Sequence, residues 1–221
     1  MTVLTNSTYD GLCYDAPFVE KALTGITQNL HFDEAWYGYA RFHEVYAGRY
    51  GMHGEGEAAD APVVFATQST HKLLAALSQC SMLHVRDRRV ADDRKVDHER
   101  FNEAFMMHTS TSPQYGLIAS LDVATRMMQH GQGQPLLQDA IEEAVTFRRK
   151  MSEISASKAK QKDDWWFTLF QPPGIEKRGM RHATAPLASA APLENGDVTH
   201  DSSFWMLDPK ADWHGYDGLQ D

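Results

Sequence analysis

The chain has 221 residues, 42% of them hydrophobic, and its formal net charge is −9. This length suits one or at most two domains, and the negative charge argues against general nucleic-acid binding, which favours a basic patch. No apolar run is long enough to cross a bilayer and the start is not typical of a secretory signal, so we expect no membrane partner. Because two cysteines do not make a disulfide scaffold, a cytoplasmic protein is the simplest interpretation.

Strands and helices are predicted to alternate over the start of the chain. A strand at residues 1–8 is followed by a helix that begins after Asp15, its N-cap, and keeps apolar residues at helical spacing as far as Ile26. The next strand covers residues 30–33 and ends in an aspartate. Residues 37–50 are rich in aromatic side chains, which predicts core packing around a loop or a short helix.

Residues 52–61 form a predicted loop that places His53 close to two acids, Glu55 and Glu57. These side chains could suggest a metal site, but the chain has no His-Glu-x-x-His sequence and no Cys/His pair at ligand spacing. We therefore predict a solvated loop and no metal.

Two further strands and a charged segment follow this loop. Residues 63–65 predict a buried strand, residues 73–78 a turn of helix, and residues 82–85 another strand. The charged run at residues 86–100 mixes acids and bases, which favours an exposed loop over an anion-binding patch.

Helical periodicity dominates the second half of the chain. Three helices are predicted, at residues 97–107, 116–128 and 135–155. The hydroxyl-rich segment 109–113 between the first two is typical of a helix cap. After residue 155 the composition shifts, and we expect a hydrophilic linker at residues 158–164, a strand at residues 165–170 and irregular structure thereafter.

The segment that suggests chemistry is residues 66–79, which directly follows a predicted strand. It presents a hydroxyl, an imidazole and an amine at Ser69, His71 and Lys72, and then continues into small and apolar residues. A lysine is most often a solvated surface charge, but this setting and Asp33 at the end of the preceding strand favour a chemical role. In an α/β protein, sites are built where the carboxyl ends of neighbouring strands meet.

Four segments in the same order resemble the ornithine/lysine/arginine decarboxylase family, of the bacterial type with an aspartate-aminotransferase-like fold. They are residues 4–11, 32–42, 69–72 and 101–113. The resemblance is strong over residues 1–150 and patchy beyond. It implies an α/β fold, a partial aspartate-aminotransferase-like major domain of fold type I, with a mainly parallel sheet flanked by helices and an irregular C-terminal tail.

The same resemblance implies how the chain divides. Residues 1–155 would form the C-terminal half of the major domain, which binds pyridoxal 5'-phosphate. Residues 156–221 would be a linker and the start of the following segment.

The resemblance also implies which side chains hold the cofactor ring. Lys72 would hold pyridoxal 5'-phosphate as an imine, and Asp33 would keep the ring nitrogen protonated, since a carboxylate and a pyridinium stabilise each other. Ala35 and Trp36 would lie beside the cofactor.

The phosphate contacts are implied in the same way. Ser69 and His71 would hold the phosphate, and His71 could also donate a proton during the reaction. Ser110 and Thr111 would reach the cofactor of a neighbouring subunit, so the resemblance implies a homodimer or a higher homo-oligomer.

The implied reaction is the decarboxylation of a basic amino acid. The sequence of residues 33–42 favours arginine as the substrate, with lysine and ornithine next. Family enzymes are far longer than this chain, so we expect a segment of a longer enzyme that has little activity in isolation. Two alternatives stay open: a non-catalytic remnant that acts only in subunit association, and another reaction on the same cofactor, such as aminotransfer.

Overall fold

The computed structural model describes residues 1–9, 11–54, 58–161, 175–177 and 180–182. The chain divides into two compact units, Met1–Gln134 and Pro135–Asp221. The first unit contains the main sheet and all the candidate site residues. Of the helices in the described ranges, none combines the length and the apolar character that crossing a bilayer requires.

The main sheet has four strands, whose spatial order follows the chain. They are β1 (Thr2–Thr5), β2 (Asn29–Asp33), β3 (Val63–Gln68) and β4 (Met82–Arg86). The first three strands run parallel and β4 pairs antiparallel with β3, which confirms the predicted, mainly parallel α/β sheet. Thr5 lies beside Asp33, and Asp33 beside Thr67, so the carboxyl ends of the parallel strands meet at one edge.

The described residues form five α-helices. They are α1 (Ala16–Leu23), α2 (Thr70–Leu73), α3 (His98–His108), α4 (Tyr115–Met127) and α5 (Gly133–Lys160). α1 begins as predicted, because the Asp15 carboxylate accepts a hydrogen bond from Phe18 N–H (3.0 Å). It ends before Ile26, whose side chain is 76% exposed.

Shorter helical turns connect these elements. Residues Ala40–Phe42 and Glu44–Tyr46 form 3-10 helices within the aromatic segment, as the sequence predicts, and Asp92–Arg94 forms another in the charged segment. Residues Met128–Gln132 form a π-helical turn between α4 and α5.

The core lies on one face of the sheet, where side chains of alternate residues point. Leu30, Phe32 and Val64 are buried there and pack with Ala16 of α1. On the opposite face, the ring of Phe65 stacks on Phe101 of α3, with ring centroids 6.5 Å apart. Fully burying a large apolar side chain is worth about 1.5–3 kcal/mol. The burial of Leu30, Phe32 and Val64 therefore strongly favours this strand register, because a slip of one residue would turn them to the other face.

The aromatic segment forms a second buried cluster, as predicted. Tyr37, Ala40 and Tyr50 are buried together. The rings of Tyr37, Tyr39 and Tyr46 meet edge to face at centroid distances of 5.4–5.6 Å. Burial raises the pKa of the Tyr37 and Tyr46 hydroxyls, so both stay neutral at physiological pH.

Two predictions for the segments that follow β3 are wrong. The helical turn lies at Thr70–Leu73 instead of residues 73–78, because Leu74 adopts an extended backbone and ends it. Arg86 is the last residue of β4 and not part of an exposed loop, because its guanidinium pairs with the buried carboxylate of Glu20 (Nη2 to Oε2, 2.7 Å).

The C-terminal predictions need a similar correction. α5 extends past the predicted end at residue 155 and into the first three residues of the predicted linker, as far as Lys160, since lysine and alanine both favour helix. Where irregular structure was expected, Ile175–Lys177 (β5) and Met180–His182 (β6) pair antiparallel. Strands this short are too brief to show alternation in a sequence. The predicted strand at residues 165–170 and the tail after residue 182 lie outside the described residues.

Candidate active site

Asp33 lies at the carboxyl end of β2, half-buried, on the sheet face opposite the core. Its Oδ1 accepts a hydrogen bond from Ala35 N–H (3.2 Å), which fixes the start of the turn that follows the strand. On the same face, His31 Nε2 lies 2.5 Å from Thr67 Oγ1. Within the described residues, the second carboxylate oxygen of Asp33 accepts no hydrogen bond, so it is available to a ligand.

Lys72 lies in α2, immediately beyond the carboxyl end of β3. Its side-chain nitrogen lies over the Trp36 ring, 5.2 Å from the ring centroid, at a distance typical of a cation–π contact. The rings of Tyr9 and Trp36 also meet edge to face, with their centroids 5.3 Å apart. Because Trp36 belongs to the turn that follows Asp33, the amine and the carboxylate share one edge of the sheet, as the sequence predicts.

Ser69 and His71 lie just before Lys72 in the chain. Ser69 is half-buried and is the N-cap residue of α2, and its carbonyl accepts a hydrogen bond from Lys72 N–H (3.0 Å). His71 Nδ1 lies 2.6 Å from the Cys80 carbonyl oxygen and 3.3 Å from the Cys80 nitrogen. We assign the proton to Nδ1 from the shorter contact, which leaves Nε2 as the basic nitrogen of the ring.

Ser110 and Thr111 are not brought together with these residues. Both are exposed in the turn between α3 and α4, and Ser110 Oγ accepts a hydrogen bond from Ser112 N–H (3.1 Å) within that turn. In the part of the chain that the structure describes, no hydrogen bond, ion pair or ring contact links this turn to Asp33 or Lys72. Their predicted role on the cofactor of a neighbouring subunit therefore stays a prediction.

His53, which the sequence places near two acids, lies in the predicted loop after residue 52. Glu55 and Glu57 lie outside the described residues. Among the residues that are described, no group of three or more His, Cys, Asp or Glu side chains is arranged to hold a metal ion.

Sequence reasoning missed Glu34, the residue next to Asp33, whose side chain is 0% exposed. Its carboxylate accepts hydrogen bonds from Gly51 N–H (2.6 Å), Asn6 Nδ2 (3.0 Å) and Gln68 Nε2 (3.1 Å). Burial raises the pKa of this carboxyl above its ordinary value, and the three hydrogen bonds oppose the shift.

A signal for Glu34 exists in the sequence. Leu30, Phe32 and Glu34 share one face of β2 by simple alternation, so an apolar row ends in an acid. A carboxylate at a buried position needs hydrogen-bond donors around it, so this pattern predicts donors close to Glu34.

The similarity of the chain to known proteins identifies its family. The whole chain, residues 1–221, matches the family model described as "Orn/Lys/Arg decarboxylase, major domain". The chain belongs to this family. This confirms the family that the sequence motifs predict.

The relatives of this chain are named for different basic amino acids. It is 50% identical over 216 residues to lysine decarboxylase LdcA of Pseudomonas aeruginosa, covering 98% of this chain and 25% of the relative. It is 43% identical over 219 residues to the biodegradative arginine decarboxylase of Escherichia coli, covering 99% of this chain and 28% of the relative. The chain thus spans about a quarter of the length of these curated relatives.

Solved structures of the family share the fold. Lysine decarboxylase A from Pseudomonas aeruginosa is similar at a TM-score of 0.68 and 52% identity, over 80% of this chain and 23% of that one. The constitutive lysine decarboxylase of E. coli is similar at a TM-score of 0.65 and 38% identity, over 95% of this chain and 26% of that one. These matches confirm the predicted fold class.

Proposed function

We propose that this chain supplies part of the active site of a pyridoxal 5'-phosphate-dependent decarboxylase of basic amino acids, with Lys72 and Asp33 as its central residues. The observation that carries the proposal is the placement of one amine and one carboxylate at adjoining strand ends. Within the described residues, the Lys72 amine forms no hydrogen bond or ion pair, and one Asp33 oxygen is unoccupied. Both groups are therefore available to a ligand.

The donor set at this edge fits pyridoxal 5'-phosphate. An aromatic ring with a basic nitrogen suits the Asp33 carboxylate, an aldehyde suits a lysine amine, and a phosphate suits the Ser69 hydroxyl and the His71 imidazole. When bound, this cofactor supplies the electron sink that decarboxylation of an amino acid requires.

Each residue of the chain has a distinct task in this proposal. Asp33 holds a proton at the ring nitrogen, because its carboxylate favours the charged form of a base beside it. Lys72 provides the nucleophilic amine, which must lose its proton before it reacts. His71, whose Nδ1–H donates to the Cys80 carbonyl, presents Nε2 to the site, and once Nε2 is protonated it can hold the phosphate or deliver a proton. Trp36 and Ala35 cover the site beside Asp33.

The substrate class follows from the named relatives, and the individual substrate does not. Lysine, arginine and ornithine decarboxylases all match the chain over nearly its whole length. The sequence of residues 33–42 favours arginine. A comparison of kcat/KM for arginine, lysine and ornithine on the complete gene product decides among them.

Borohydride reduction in the presence of pyridoxal 5'-phosphate, followed by peptide mapping, tests the proposal directly. The label is expected on Lys72, and Lys72→Ala is expected to abolish carbon dioxide release. Lys95→Ala is the matched control, because Lys95 is an exposed lysine that pairs with Asp92 (2.7 Å) in the charged segment. A label on another lysine, or full activity in Lys72→Ala, would overturn the assignment.

The alternatives have their own outcomes in the same experiments. Transfer of the substrate amine to a keto acid without carbon dioxide release would indicate an aminotransferase. Stable association with a full-length homologue without cofactor binding would indicate a non-catalytic remnant. The homo-oligomer, the cytoplasmic location and the assignment of residues 1–155 to the second half of the cofactor domain stay predictions.

A further inference from the structure

Three polar side chains continue the core face of the sheet just where the parallel strands end. Leu4 pairs with Phe32, and Phe32 with Ala66, so the next residues on the same face are Asn6, Glu34 and Gln68. Asn6 and Gln68 both donate to the Glu34 carboxylate, so one side chain joins the ends of three strands. We call Asn6, Glu34 and Gln68 the strand-end row.

Backbone hydrogen bonds extend the sheet as far as this row. Asn6 N–H donates to the Asp33 carbonyl (2.8 Å), and Glu34 N–H donates to the Thr67 carbonyl (2.9 Å). Asn6 and Glu34 are therefore held both by backbone hydrogen bonds of the sheet and by the side-chain hydrogen bonds of the strand-end row.

The connecting loops are fixed to the same carboxylate. Gly51 N–H donates to Glu34 Oε1 at 2.6 Å. Asn6 Nδ2 also donates to the Arg49 carbonyl (2.9 Å), and Asn6 Oδ1 accepts from Tyr14 N–H (3.1 Å), which fixes the orientation of its amide. Glu34 thus holds the loop at Gly51 directly and the loop at Tyr14 through Asn6, as well as three strand ends.

A buried carboxylate is a costly way to stabilise a core, since apolar side chains of similar volume often do as well or better. Its advantage is directional, because each oxygen accepts hydrogen bonds only from donors in defined positions. The direction matters here because Asp33 and Glu34 are consecutive and their side chains point to opposite faces. Any rotation of Glu34 about the strand axis would also rotate Asp33.

We propose that Glu34 is a positioning residue of the site, whose carboxylate fixes the strand ends so that Asp33 and Lys72 face the same ligand. This inference rests on the proposed function and deepens it. Glu34 acts from the core face and does not touch the ligand.

The test uses the complete gene product that carries this chain, with three variants. Glu34→Leu removes the acceptor of all three hydrogen bonds. Glu34→Gln is the conservative variant, because a flipped Gln68 amide can accept from it while its own oxygen still accepts from Asn6 and Gly51. Glu20→Leu is the matched control, since Glu20 is the other buried glutamate of the described residues and pairs with Arg86.

Two measurements are made on each variant. Hydrogen exchange without cofactor reports the protection of the backbone at residues 33–37 and 67–72. The dissociation constant of pyridoxal 5'-phosphate and the visible circular dichroism of the bound cofactor report the ligand geometry.

Glu34→Leu is expected to speed exchange in both segments and to weaken cofactor binding, each by about tenfold or more. Glu34→Gln is expected to restore both to within about threefold of the wild type. Glu20→Leu is expected to lower the melting temperature while leaving cofactor affinity and the dichroism unchanged. If Glu34→Leu does not fold, Gln68→Leu removes one hydrogen bond of the row and is read in the same way.

The inference is overturned if Glu34→Leu or Gln68→Leu lowers the melting temperature as Glu20→Leu does while site exchange and cofactor affinity stay at wild-type values. If the wild-type protein binds no cofactor, the proposed function is overturned instead. This measurement does not depend on any of the variants.

Discussion

Gly51→Ala tests whether the loop that contains Gly51 must approach Phe32 of the sheet as closely as the structure shows. A Cβ atom at this position would lie 2.6 Å from Phe32 Cδ2 and 3.1 Å from Phe32 Cγ. Phe32 is 1% exposed in the centre of the core and cannot move aside. The loop backbone must therefore withdraw, which lengthens the hydrogen bond from Gly51 N–H to Glu34.

The expected cost combines two contributions. Overpacking a well-packed core costs about 1–3 kcal/mol, and weakening a hydrogen bond to a buried carboxylate costs about 1.5–3 kcal/mol. Since a partial withdrawal relieves the clash while losing the bond, we expect a total of about 3 kcal/mol. With a urea m value of about 1–3 kcal/mol/M, the unfolding midpoint should fall by about 1 M or more.

Two further variants control this measurement. Gly116→Ala places its Cβ in α4, where it meets nothing within 4 Å in the described structure, and should change stability by less than about 1 kcal/mol. Adding Phe32→Leu to Gly51→Ala removes the ring that the new methyl group meets, so the two changes should couple by roughly 1 kcal/mol. Equal midpoints for Gly51→Ala and Gly116→Ala, or strict additivity with Phe32→Leu, would refute the reasoning.

Three other predictions concern ionisable side chains in the first unit. Arg86→Met leaves Glu20 buried without its partner and should cost about 3–5 kcal/mol in urea unfolding, whereas Arg86→Met combined with Glu20→Met should recover most of that loss. Burial lowers the pKa of His84, so its stabilising effect is present above pH about 6.5 and is lost as the pH falls below it; His84→Phe should flatten the pH profile of the unfolding free energy between pH 7.5 and 5. The hydrogen bond from Arg100 N–H holds the pKa of the Asp97 cap below its ordinary value, so its stabilisation is present above pH about 3.9 and is lost as the pH falls through the lower folded-state pKa. Asp97→Asn should keep the cap and remove that dependence, and an unchanged acid limb of the stability curve would contradict it.

The sequence predicts the parts of this fold that local patterns determine. Alternating apolar residues locate β2, and the Asp15 cap locates the start of α1. The order of strands and helices then predicts that Asp33 and Lys72 lie at the carboxyl ends of neighbouring strands, where α/β proteins build their sites.

What the sequence does not predict depends on contacts between distant residues. Arg86 reads as one charge among many, and only its pairing with Glu20 makes it part of the sheet. The Glu34 carboxylate meets Asn6 and Gly51, residues that no local period connects to it. A buried polar network of this kind is visible only when the strand register is known.

The two consecutive acids at the end of β2 illustrate how one strand end can meet two requirements. A carboxylate that binds a ligand needs an oxygen that the protein leaves unoccupied, as in Asp33. A carboxylate that fixes neighbouring strands needs donors on both oxygens, as in Glu34. One side chain cannot satisfy both conditions, because each hydrogen bond from the protein removes a position from the ligand. Since side chains alternate along a strand, adjacent residues separate the two tasks onto opposite faces while sharing one backbone. In the proposed role of Glu34, the rigidity gained on the core face is thereby passed to the face that carries Asp33 without adding a side chain to the site.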